Sequence, residues 1–135
     1  MAKEVIKLAL PVYWTNEKKT KESTKHLVSQ NWFRNIHFYV KNKVKKEYCR
    51  LVEKEMEKNI VKIEGQYTVS YKYYYKDTSS DAPNVIHQVE KFALDALVTL
   101  NILPEDNVKF LIGSGGWSVE SDPDNPRVEI EINKA

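Results

Sequence analysis

The stretch that most constrains this chain runs from Ser79 to Asn107, SSDAPNVIHQVEKFALDALVTLNILPEDN. At about 100° per residue, Val85, Val89, Phe92, Ala96 and Leu100 share one stripe of a helix. Asn84, Gln88, Lys91 and Asp95 share a second stripe, centred roughly 120° away. The apolar stripe requires a core to lie against. Ser80 or Asp81 can cap the helix start, and Pro83 suits its first turn. The pattern therefore predicts a helix running to about Leu100, with an acid before it and the pair Glu105–Asp106 after it.

The remaining chain supplies partners for that helix. Residues 4–10, EVIKLAL, alternate with Ile6, Leu8 and Leu10 on one side, and predict a strand ended by Pro11. Residues 15–30 have no apolar period and carry several lysines, so they read as a polar loop able to contact phosphates. From Trp32 to about Glu57, Phe33, Ile36, Val40, Val44, Tyr48, Leu51, Val52 and Met56 recur at three and four residues, predicting one long helix. Trp32 and Tyr39 read as core or rim residues. QYTVSYKYYYK at 66–76 alternates as a strand, with Tyr67, Val69, Tyr71, Tyr73 and Tyr75 on one face. NVKFLIGS at 107–114 predicts a third strand, Gly113, Gly115 and Gly116 a turn, and RVEIEI at 127–132 the last strand. The order β-α-β-α-β-β implies an α+β single domain spanning 1–135, with two helices on a small mixed sheet.

Composition removes several function classes. No run approaches 18 apolar residues, so no membrane-spanning helix is expected. The start, MAKEVIKLALPVYW, does not read as a signal peptide. A single cysteine, Cys49, excludes a disulfide framework and a cysteine-based zinc site, and a cytoplasmic setting is expected. His26, His37 and His87 are scattered without ligand spacing, and no phosphate-binding loop, nucleophile elbow or dinucleotide fingerprint occurs.

The net charge of +2 conceals two unlike halves. Residues 1–62 carry 15 Lys and Arg against 7 Asp and Glu; residues 63–135 carry 6 against 12. Such a division suits a protein that grips a polyanion with one part and holds a cation with the other. The alternative is the ordinary solvated face of long helices. In the acidic half, Asp81, Asp95 and Asp106 are candidate ligands for a hard cation, which takes carboxylate oxygens together with water and substrate phosphate. Lys91, one turn before Asp95, can meet a phosphate or simply pair with Asp95. Taken singly, each of these residues also has a plain structural reading as cap, ion pair or loop polarity.

The arrangement D81-x-x-N84, K91-F-A-L-D95-A-L97, E105-D106-N107-V108 resembles the signature of the RusA family of Holliday-junction resolvases, encoded by phages and prophages. The four residues from Lys91 to Asp95 and the eleven from Asp95 to Asp106 keep that family's intervals. The resemblance implies a magnesium-dependent endonuclease, with manganese as an alternative, that works as a homodimer on four-way DNA junctions. Asp81, Asp95 and Asp106 would be the acidic ligands, and Lys91 would stabilise charge on the phosphate. Lys18, Lys19, Lys21, Lys25, Lys41, Lys45 and Lys46 would hold the DNA arms through phosphates. The chain departs from the family where an Asp-x-Asp-Asn is usual, carrying Val85 and His87 instead. Either Asp81 replaces the missing acid from one turn earlier, or the chain binds junctions without cutting them. A third reading is a protein-interaction factor that uses the tyrosine strand as its interface.

Overall fold

The computed structural model describes residues 4–18, 21–58 and 61–135, with only the backbone at 16–18 and 21–24. Strand β1 (Val5–Pro11) lies antiparallel to β6 (Arg127–Lys134), β6 lies antiparallel to β4 (Tyr67–Tyr75), and β5 (Leu111–Ser121) runs parallel to β4. The sheet order is β1-β6-β4-β5. Alternation places Ile6, Leu8 and Leu10, Val128, Ile130 and Ile132, and Tyr67, Val69 and Tyr73 on one buried face. Helices α2 (Phe38–Met56) and α3 (Ala82–Thr99) complete the core with Val44, Tyr48 and Val52 from one and Val85, Val89, Phe92 and Ala96 from the other. This is the α+β arrangement with a small mixed sheet that the periodicities predict.

Three details differ from the sequence reading. Most of the polar stretch 15–30 belongs to two paired strands, β2 (Tyr13–Lys18) with β3 (Lys21–Leu27), forming a separate two-stranded sheet. The long helix is interrupted. A short α1 (Gln30–Asn35), capped by Ser29 accepting from the Trp32 amide, ends where Ile36 becomes extended, and His37 caps α2 by accepting from the Tyr39 amide. Three helices therefore stand where two were expected. The apolar stripe hides this break because Phe33, Ile36 and Val40 all pack toward the core on either side of it.

The third difference concerns the glycines. Gly113, Gly115 and Gly116 lie within β5 and make no turn. The register passes from Val69 opposite Ser114 to Ser70 opposite Gly116, so Gly115 is an extra residue in the strand. A side chain at Gly115 would come within 3.0 Å of the Ser70 Cβ, and Gly116 has φ +89°. The glycines serve a bulge.

The end of α3 determines where the following acids go. Asn101 adopts a left-handed conformation with φ 62°. Its amide donates to the Val98 carbonyl and the Ile102 amide to the Leu97 carbonyl, the paired bonds of a Schellman motif. The chain thus folds back along α3 at once, and buried Leu103 anchors the return.

The buried Tyr48 hydroxyl donates to the Pro11 carbonyl and ties α2 to the end of β1; burial also pushes its phenol well above the ordinary tyrosine range. Replacing Tyr48 with Phe removes one hydrogen bond at constant packing. The expected cost is about 1 kcal/mol, a fall in melting temperature of ~4 °C measured by circular dichroism.

Candidate functional site

Lys91 lies on the exposed side of α3, one turn before Asp95. Its Nζ is 3.1 Å from Asp95 Oδ1 and 3.3 Å from Asp106 Oδ2. The two carboxylates therefore meet through one ammonium. That ammonium is held above the ordinary lysine range, first by its hydrogen bond to Asp95 and then by Asp106.

The return of the chain after α3 explains how Asp106 reaches this position. Tyr67, at the start of β4, donates its hydroxyl to the carbonyl of Glu105. Asn107 donates to the Glu105 carboxylate at 2.6 Å and accepts from the Lys109 amide at 3.1 Å. The loop is thus pinned on both sides of Asp106.

Glu90 completes the cluster. It is half-buried beside Asp106, and burial together with that carboxylate raises its pKa to about 7, against a smaller opposing effect of Lys91. Tyr67 shares the same environment and is pushed up to about 12 by burial, Asp106 and Glu90. Periodicity missed Glu90 because it lies off the polar stripe; its partner Asp106 arrives from a loop that no helical wheel contains.

Asp81 does not join this group. It occupies the N-cap position of α3, although its side chain makes no capping hydrogen bond. Fourteen residues of continuous helix separate it from Asp95, which at 1.5 Å per residue is about 21 Å along the axis. The three-acid set Asp81, Asp95 and Asp106 is therefore not assembled. Among the described residues, no group of three or more His, Cys, Asp or Glu side chains is placed to hold a metal. What the fold does assemble is Lys91 between Asp95 and Asp106, with the half-buried Glu90 carboxyl near enough to Asp106 for that charge to raise its pKa; Glu90 and Asp106 form the carboxylate pair of this group. The donor chemistry of that pair fits magnesium, which takes one or two carboxylates and keeps several waters.

The lysines proposed to grip DNA divide by element. Lys45 and Lys46 on α2 line a shallow depression of about 220 Å³ together with Phe92, Asp95 and Thr99 of α3. The Nζ of Lys41 lies 5.6 Å, and that of Lys45 6.0 Å, from the centre of the Phe33 ring, which packs edge-on against Phe92. The basic face of α2 and the Asp95–Lys91–Asp106 group thus border one surface. Lys25 lies apart on β3, 5.0 Å from the Tyr13 ring. Lys18 and Lys21 are backbone register partners in the β2–β3 pair. Lys19 falls outside the described residues.

No protein-family model and no curated protein matches this chain. The likeness to resolvases therefore rests on the spacing of residues 81–108 alone. No helix among the described residues is long and apolar enough to cross a membrane.

The Glu90 shift has a measurable consequence. Its folded-state pKa lies above the unfolded value, so the folded state holds the proton more tightly and loses stability as pH rises from about 4.5 to 7. Glu90→Gln removes this penalty. The variant is expected to match the wild type near pH 4 and to exceed it at pH 8 by an amount on the order of 1 kcal/mol, reduced by the carboxyl's partial exposure. Urea unfolding at the two pH values measures the difference.

Proposed function

We propose that this chain is a magnesium-dependent endonuclease acting on branched DNA, related to the RusA resolvases, with Glu90 and Asp106 in place of the expected three-acid set. The observation that carries the reading is the Asp95–Lys91–Asp106 group, closed by contacts of 3.1 and 3.3 Å and bordered by Lys45 and Lys46 of α2, with half-buried Glu90 next to Lys91 on the helix. Such a surface receives a phosphodiester over its carboxylates while neighbouring phosphates meet Lys45 and Lys46.

Glu90 and Asp106 would hold the cation. Bound there, magnesium supplies charge neutralisation at the phosphate and a water of lowered pKa. The chain's own residues do the rest. Asp95 fixes the Lys91 side chain, and Lys91 offers its ammonium to the charge that develops on the phosphate. Tyr67 holds the Glu105 carbonyl and with it the position of Asp106. Glu90 would have to be ionised to hold a cation beside Asp106, so affinity for magnesium would rise as pH rises toward and above 7. Junction selectivity would come from pairing two such sites in a homodimer, and phage or prophage DNA in the bacterial cytoplasm is the setting this reading implies.

A second reading, junction binding without cleavage, is favoured by one specific observation. Lys91 already bridges Asp95 and Asp106, partly supplying the positive charge that a cation would bring.

Incubation with a synthetic four-way junction and magnesium separates the two. Under the proposal, wild type nicks the junction, and Asp106→Asn and Lys91→Ala each lower the rate by about 10²-fold or more while retaining binding. Glu90→Gln falls with them. Asp81→Asn stays close to wild type, because its side chain lies outside the cluster. Binding by wild type without cleavage selects the second reading, and a severe loss in Asp81→Asn alone would overturn the ligand assignment.

A further inference from the structure

The break between α1 and α2 gathers three aromatic rings at the surface, with His37 stacked on both Phe38 and Tyr39 and those two tilted against each other. His37 and Phe38 have ring centroids 5.1 Å apart, His37 and Tyr39 5.0 Å, and Phe38 and Tyr39 4.2 Å. Phe38 is 56% exposed and Tyr39 65% exposed. Tyr39 is therefore not the core or rim residue expected from the sequence. Rings that serve packing in this protein look different: Phe92 and Tyr48 stack 4.7 Å apart and are both buried. The His37 ring is also held in place, since it accepts the Tyr39 amide as the helix cap.

The charge around the cluster indicates what it can receive. Residues 38–46 carry four lysines and no acid. Lys41 and Lys45 follow His37 at four-residue steps along one side of α2, while Lys43 points to the other side, beside Tyr13 and Trp14. From Phe38 to Lys46 the helix extends about 12 Å, the length of three to four stacked nucleotides at 3.4 Å each. Lys46 borders, with Lys45, the depression that contains Asp95. Flat π surfaces followed by Lys41, Lys45 and Lys46 match a nucleobase followed by its phosphates. A purely apolar partner would leave these three lysines without a counterpart.

We propose that the His37–Phe38–Tyr39 cluster is a stacking site for an unpaired nucleobase, placed so that the strand leading from it runs along the α2 lysines toward Asp95. This rests on the reading of the α2–α3 surface as a DNA site, and names the feature of branched DNA that the surface selects: a base exposed at or near the branch. The chain then discriminates between duplex and branched DNA through the rings, while the lysines bind both alike.

Binding is measured with the full chain in EDTA, so that cleavage plays no part, against a duplex, a single strand and a four-way junction of equal length. The single strand and junction carry 2-aminopurine, whose fluorescence responds to stacking. Phe38→Ala/Tyr39→Ala is expected to weaken single-strand and junction binding about tenfold or more and to abolish the 2-aminopurine response, with duplex binding little changed. Tyr39→Phe keeps the ring and behaves as wild type. Lys41→Ala/Lys45→Ala weakens all three DNAs and lowers the salt dependence. Equal losses on duplex and branched DNA, or an unaltered 2-aminopurine response in the double ring variant, would overturn the stacking site and leave the catalytic reading standing. So would loss of self-association in that variant by analytical ultracentrifugation, which would make the rings a subunit interface. Failure of wild type to bind any of the three DNAs at low salt overturns both.

Discussion

Helix α3 is buried along one whole side, and that burial dictates what its other side can present. Val85, Ile86, Val89, Phe92, Ala93, Ala96 and Leu97 are fixed against the sheet and α2. The helix can neither rotate nor shift without exposing them, at roughly 1.5–3 kcal/mol for each large side chain. Its exposed residues are therefore held at fixed heights, about 1.5 Å per residue along one axis. That spacing separates Asp81 from Asp95 and sets Lys91 where it meets both Asp95 and Asp106.

The two halves of the sequence, one basic and one acidic, become two faces of one surface because α2 packs against α3. The contact through Phe33, Phe92 and Tyr48 brings Lys45 and Lys46 to the edge of the Asp95 group. Charges that are far apart in the chain then lie on a single surface. Lys91 links the helix to Asp106 of the returning loop, and the Tyr67 hydroxyl holds that loop to the sheet through the Glu105 carbonyl.

Much of the fold was legible where the period of apolar residues matched the element that formed. β1, β4, β6 and α3 lie close to where alternation and the helical stripe place them, since each buries one face and exposes the other. The misses share a physical cause, in that each involves an element whose pattern reports something other than its backbone. The strand pair β2–β3 is lysine-rich and has no apolar period. β5 carries glycines for a bulge against Ser70, and they resemble turn residues on paper. The stripe of the long helix crosses the break at Ile36 without interruption. In the site, Lys91, Asp95 and Asp106 were visible through their spacing. Glu90 was not, because its significance arises only when the Schellman turn at Asn101 brings Asp106 back beside it. Asp81 stood out for its position before the helix, but the helical rise to Asp95, about 21 Å over fourteen residues, was already implied by the predicted helix and separates the two acids.

On the proposed reading a divalent cation binds at Glu90 and Asp106 and not at Asp81. Titrating manganese into ¹⁵N-labelled protein separates the two positions, since the paramagnetic ion broadens amide signals according to distance. The amides of residues 89–92 and 105–107 are expected to disappear first, at manganese levels that leave 79–82 intact, and Asp106→Asn is expected to abolish the effect. Broadening centred on residues 79–82, or an unchanged pattern in Asp106→Asn, would contradict that reading.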